Sequence, residues 1–94
     1  MKQCLKIKVT GNVQSAAYRE FIQAHAQKYE IEGTIQNMED KKSVVINACG
    51  ASDKLDHLID FVYKGTAHAK VDHVEVEPLL KEKNFRSVFR IIGD

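Results

Sequence analysis

The stretch with the most chemical potential is Gly11-Asn12-Val13-Gln14-Ser15-Ala16-Ala17-Tyr18-Arg19. It leaves an alternating apolar run and enters an amphipathic one, so it reads as a loop that feeds a helix. A helix start exposes unpaired N–H groups and carries a partial positive charge. The amides of a preceding loop can converge on an anion. An arginine placed there opposes the helix charge, which is unfavourable for the helix alone. The placement makes sense when a dianion sits between the two, and phosphate fits. A guanidinium grips two of its oxygens while amides take the others. The plainer reading of Arg19 is a solvated residue at a helix start.

The surrounding pattern shows what would position that loop. Leu5, Ile7 and Val9 alternate with Lys6 and Lys8, which predicts a half-buried strand. Phe21, Ile22, Ala26 and Tyr29 recur at helical spacing, and this helix must end before Gly33. A short strand follows at Thr34 to Asn37, then a polar turn from Met38 to Lys42. A second strand returns with Val44, Ile46 and Ala48 on one face. Ser52 is a suitable N-cap for a helix that carries Leu55, Leu58, Ile59 and Val62 on one stripe, and Gly65 is placed to end it. Val74 and Val76 mark a further strand, closed by Pro78 at an edge or end. Phe89 and Ile91 mark the last one. The order βαββαβ predicts an α+β fold of the ferredoxin-like kind: an α/β sandwich in which an antiparallel sheet carries two helices on one face. That architecture by itself says nothing about chemistry.

In this topology the first and third strands are antiparallel neighbours, so Cys4, opening one, and Cys49, closing the other, should lie close together. Both fall opposite the core-facing positions. A Cys4–Cys49 disulfide is geometrically reasonable, whereas a reducing compartment favours two free thiols. Both readings stand at this stage.

The loop and its surroundings resemble the acylphosphatase family, whose loop reads G-x-V-Q-G-V-x-F-R and is followed, eighteen positions after its arginine, by an asparagine at a strand end. Gly11, Val13, Gln14, the aromatic Tyr18 and Arg19 match. Asn37, within Gly33-Thr34-Ile35-Gln36-Asn37, stands at the right distance. The likeness continues through Val44-Val45-Ile46-Asn47-Ala48-Cys49-Gly50 and the closing Phe89-Arg90-Ile91, so it spans the whole domain. The resemblance implies hydrolysis of the carboxyl–phosphate bond of acyl phosphates. In that case the phosphate is held by Arg19 and the backbone of Gln14, Ser15, Ala16, Ala17 and Tyr18, and Asn37 orients the attacking water. A carboxylate leaves without being protonated, so no general acid is obligatory. Fixed donors can meet the charge on the phosphoryl group in place of a metal ion. The other reading of Asn37 is a turn-forming residue.

The departures are concentrated in the cradle. Serine replaces the family's glycine at position 15, and alanines stand at 16 and 17. A left-handed conformation at position 15 would cost a non-glycine residue roughly 1–2 kcal/mol. The Ser15 hydroxyl could instead donate to a phosphate oxygen. Glu30 stands where a glycine would end the first helix, and the turn after Asn37 is about one residue longer than the family's and lacks its glycine. These changes motivate an alternative: a weakened or inactive module of the same fold that binds phosphate, sulfate or another anion without turning it over.

Composition narrows the remaining classes. Ninety-four residues make a single domain, 1–94, with 44% hydrophobic and 29% charged residues. A net charge of +1 offers no bulk field for nucleic acid or an anionic membrane. The two central strands carry none of the aromatics on which RNA-recognition sheets stack bases. A regulatory dimerisation domain is a further possibility for this topology. No segment approaches the ~18 apolar residues of a membrane span, and no signal peptide is evident, which predicts a cytoplasmic protein. The four histidines and two cysteines lack metal-ligand spacing, so no metal and no cofactor is expected. The expected partner is a small-molecule acyl phosphate or inorganic phosphate or sulfate, met by a monomer.

Overall fold

The computed structural model describes residues 2–80 and 84–93. The chain forms β1 (Lys2–Asn12), α1 (Ala16–Lys28), β2 (Glu32–Asn37), β3 (Ser43–Ala51), α2 (Ser52–Lys64), β4 (Lys70–Pro78) and β5 (Phe89–Ile92). The five strands lie in one sheet in the order β4-β1-β3-β2-β5. The predicted ferredoxin-like arrangement holds in its first six elements. It needs one correction: the sheet is mixed, because β5 runs parallel to β2, with Gly33 opposite Phe89 and Ile35 opposite Ile91. Beyond Pro78 the chain has to reach the far edge of the sheet, and it arrives there in the direction of β2.

The alternation in β1 and β3 sets the core. In their antiparallel register Leu5 faces Ala48, Ile7 faces Ile46 and Val9 faces Val44. All six are buried, and they join Ile35, Phe89 and the helix residues Tyr18, Ile22, Ala26, Leu55, Leu58 and Val62 in one apolar cluster. Phe21, Tyr29 and Ile59, on the margins of their helical stripes, are only partly buried. The Tyr18 hydroxyl donates to the Val62 carbonyl at 3.0 Å, stapling α1 to α2. Burial pushes its ionisation well above the usual tyrosine range, so it stays a donor.

The ends of the helices depart from expectation. Ser52 is the first residue of α2 and not its cap. Ala51 holds that position without any side-chain cap bond, because β3 runs directly into the helix with no intervening loop. The C-terminus of α1 closes as a Schellman turn, with Glu30 N–H on the Gln27 carbonyl and Ile31 N–H on the Ala26 carbonyl. Glu30 therefore takes φ 56°, a position that favours glycine. Gly65 ends α2 as predicted, at φ 65°.

Cys4 and Cys49 are directly opposed in the β1–β3 ladder, and their sulfurs are bonded. The cross-link joins the two central strands at the end of the sheet away from the β1–α1 loop.

Candidate active site

The site is built where three chain segments meet: the loop between β1 and α1, the end of β2, and the start of β3. Val13 is fully buried and anchors the loop to the core, while Ser15, Ala16 and Ala17 are exposed. The chain turns into α1 at Ser15, which is its N-cap with φ −69° and ψ 152°. This is ordinary extended backbone, so the left-handed strain considered for a non-glycine residue does not arise. The hydroxyl accepts a hydrogen bond from Tyr18 N–H at 3.1 Å. That is the usual work of a capping serine. The expected donation to an anion is a separate role for the same group, since its own hydrogen is not used in the cap.

The capping bond makes a testable statement about this loop. Ser15→Ala should lower stability by about 1 kcal/mol, and Ser15→Gly by only a few tenths. Thermal unfolding of the two variants measures the difference. Equal losses would mean that the hydroxyl contributes nothing to the helix start.

Arg19 is not a solvated residue. It is 6% exposed, on the buried face of α1 with Tyr18, Ile22 and Ala26. Its Nε and Nη1 are buried with no hydrogen-bond partner. The first turn of α1 contains no acidic side chain, so nothing there offsets the guanidinium or the helix charge. The N–H groups of Ser15, Ala16 and Ala17 likewise meet no protein acceptor among the described residues. A buried cation without a protein partner is costly by itself.

Asn37 is the last residue of β2, and its Nδ2 donates to the Gln14 carbonyl at 3.2 Å. That bond fixes the amide orientation and joins the end of β2 directly to the loop that leads into α1. Asn37 Oδ1 is buried and has no partner. Gln14 and Asn37 also line an open depression of about 550 Å³ together with Gln36, Met38, Lys41 and Ile92. The turn beyond Asn37 lacks a glycine, and Lys41 takes the left-handed position at φ 64°. Among the described residues no three His, Cys, Asp or Glu side chains cluster as a metal site would require.

Residues 5–91 match the acylphosphatase family. The chain belongs to that family. The acylphosphatase of Caldivirga maquilingensis is 38% identical over 74 residues, 79% of this chain and 78% of its own. That of Staphylococcus haemolyticus is 38% identical over 80 residues, 84% of this chain and 88% of its own. Among solved structures, the acylphosphatase from Bacillus subtilis superposes with a TM-score of 0.88 at 28% identity, covering 99% of this chain and all of that one. The one from Coxiella burnetii superposes with a TM-score of 0.86 at 27% identity, covering 97% and 93%. Membership makes the chain an acylphosphatase in the general sense, an enzyme that hydrolyses a small acyl phosphate. No helix is long and apolar enough to cross a membrane among the described residues.

Within this acylphosphatase fold the structure brings Gln14 and Asn37 into direct contact and sets Arg19 one helical turn beyond the Ser15 cap. The sequence reading missed the side chain of Gln14. Its Nε2 donates to the carbonyls of both Met38 and Ser43, each at 2.8 Å. It missed Ser43 and Asp40 as well. Ser43 is fully buried, and Asp40 accepts from its hydroxyl at 2.6 Å and from the Lys42 and Ser43 N–H groups. Those bonds, the Ser43 hydroxyl foremost, hold the Asp40 carboxyl below its ordinary range. Only the short side chains in a polar turn hinted at such a brace.

Proposed function

We propose that the enzyme cleaves acyl phosphates at phosphorus, with Arg19 and the amides of residues 14–18 binding the phosphoryl group and Asn37 holding the attacking water. The observation that carries this reading is the complementarity of the unpartnered atoms. Arg19 offers two buried donors, Nε and Nη1, which suit phosphoryl oxygens, and Asn37 offers one buried acceptor, Oδ1, which suits a water hydrogen. A hydrolytic site for an anion needs both kinds.

The steps balance without further groups. Water attacks phosphorus as the bond between phosphorus and the acyl oxygen breaks, and the electron pair leaves with the carboxylate. The carboxylate is a weak base, so no acid has to protonate it. The surplus proton of the water ends on inorganic phosphate. The chain's residues supply position and charge, which is most of what phosphoryl transfer asks of a protein. Asn37 acts by orientation alone, since a carboxamide does not take up the proton.

The test is phosphate release from an aryl acyl phosphate in the presence of a chelator, run in heavy-oxygen water. The label is expected in inorganic phosphate and not in the carboxylate. Asn37→Ala should lower kcat by about a hundredfold or more while inhibition by inorganic phosphate changes little. Label in the carboxylate, or full activity in Asn37→Ala, would overturn the assignment.

A further inference from the structure

Gln14 makes three contacts, with the end of β2, the turn that follows it and the first residue of β3. Its carbonyl accepts from Asn37 Nδ2, and both hydrogens of its own carboxamide are used on Met38 and Ser43. Met38 and Ser43 are the residues that close the neck of the β2–β3 hairpin, with Met38 N–H on the Ser43 carbonyl at 2.8 Å. One side chain thus bridges both sides of that neck, one residue past Asn37. The same neck is held from within by Asp40, which accepts from the Ser43 hydroxyl and N–H. It is held from the other end of the loop by Gly11 N–H on the Lys42 carbonyl and by Thr10 Oγ1 beside Ser43 Oγ at 3.2 Å.

We infer that Gln14 is a positioning residue whose side chain clamps the hairpin neck to the phosphate loop and so sets where Asn37 Oδ1 meets the water. This rests on the reading of Asn37 given above. The chemistry of the side chain is specific to the task. Two carbonyl oxygens converge on one point, and a primary amide nitrogen supplies two hydrogens there. A glutamate would present an anion to both carbonyls. A methionine would keep the length and remove the one donor that the two carbonyls share. Val13 belongs to the apolar core, and from the next residue the clamp joins the loop to the hairpin neck. In a reaction that depends on alignment, a small shift of the water relative to phosphorus matters more than it does for binding.

The experiment combines steady-state kinetics with a double-mutant cycle. Gln14→Met is expected to lower kcat by about tenfold to a hundredfold and to leave the inhibition constant for inorganic phosphate within about twofold. In an Asn37→Ala background the same change is expected to have an effect of less than about twofold, because Gln14 then has no Asn37 to position. Asp40→Ala, which loosens the neck from its other side and touches no substrate-binding group, should shift kcat in the same direction. Amide hydrogen exchange across residues 38–43 should rise in both variants, a readout that does not depend on turnover. Equal loss of kcat in both backgrounds, or loss of phosphate affinity with kcat unchanged, would overturn the proposal. Failure of Asn37→Ala itself to slow the enzyme would instead remove the reading of Asn37, while the exchange data would still report whether the clamp exists.

Discussion

Arg19→Met abolishes measurable turnover and leaves the fold at least as stable as the parent: this is the expected result for a guanidinium whose work is to bind an anion. Methionine keeps the apolar stem that α1 buries and removes the charge. Nε and Nη1 are buried without a protein partner, so the parent carries a desolvation penalty that the variant lacks. Replacement of a buried charge by an apolar side chain of similar size is then neutral or stabilising. The loss of phosphoryl binding acts in the opposite direction on catalysis, where kcat/KM should fall by about a thousandfold or more. Arg19→Lys should recover little, because an ammonium cannot present two fixed donors to two oxygens. Thermal unfolding with and without inorganic phosphate completes the test. Phosphate should raise the midpoint of the parent and not of Arg19→Met. A variant that is strongly destabilised, with its residual activity still sensitive to phosphate, would show that Arg19 serves packing instead.

How far this site could be read from the sequence depended on which forces decide each feature. The spacing of Arg19 and Asn37 is a linear property, and so is the apolar alternation of β1 and β3. The alternation survives into the structure because the pleat and the register follow from it, and the spacing falls with Arg19 at the start of α1 and Asn37 at the end of β2. Conformation at single positions was less accessible. Ser15 is compatible with a strained turn or a relaxed cap, and only its extended backbone and the bond to Tyr18 N–H distinguish them. Glu30 and Lys41 occupy left-handed positions that a sequence would ordinarily mark with glycine. At Glu30 the two Schellman bonds and the adjacent buried Ile31 compensate for the strain. Polar clamps were the least visible. Gln14 looked like a contributor of backbone amides, yet its side chain links residues 24 and 29 positions away, and no local pattern encodes a contact of that span. The direction of β5 was hidden for a similar reason, since four residues beside β2 pair by tertiary placement and not by any turn.

The glycines of the two matching motifs carry the second large effect. Gly33→Ala should be among the most damaging single changes in this chain, with Gly11→Ala close behind, and neither through loss of a phosphate contact. Gly33 lies inside β2 at φ 153°, and an added Cβ would stand 1.8 Å from the Asn47 carbonyl oxygen, with the Asn47 carbonyl carbon and Ala48 Cα next nearest. All three are backbone atoms of β3, so nothing flexible can yield. Gly11 sits at φ 147° where the β1–β4 register shifts, and its Cβ would meet the Lys70 carbonyl oxygen at 2.2 Å. In both cases one strand must move off its neighbour, and β2 carries Asn37 on the same short rod. A loss on the order of 4 kcal/mol or more is expected at Gly33, which for a domain of this size lowers the midpoint by about 4–8 °C per kcal/mol. Gly93 supplies the comparison. It also has a positive φ, 86°, but no atom lies within 4 Å of its added Cβ, so Gly93→Ala carries conformational strain alone, about 1 kcal/mol. Unfolding midpoints in the order Gly93→Ala above Gly11→Ala above Gly33→Ala would establish backbone crowding as the cause. Three similar midpoints would leave φ as the whole effect. The glycine that opens the loop motif is then there to let β1 pass Lys70 of β4.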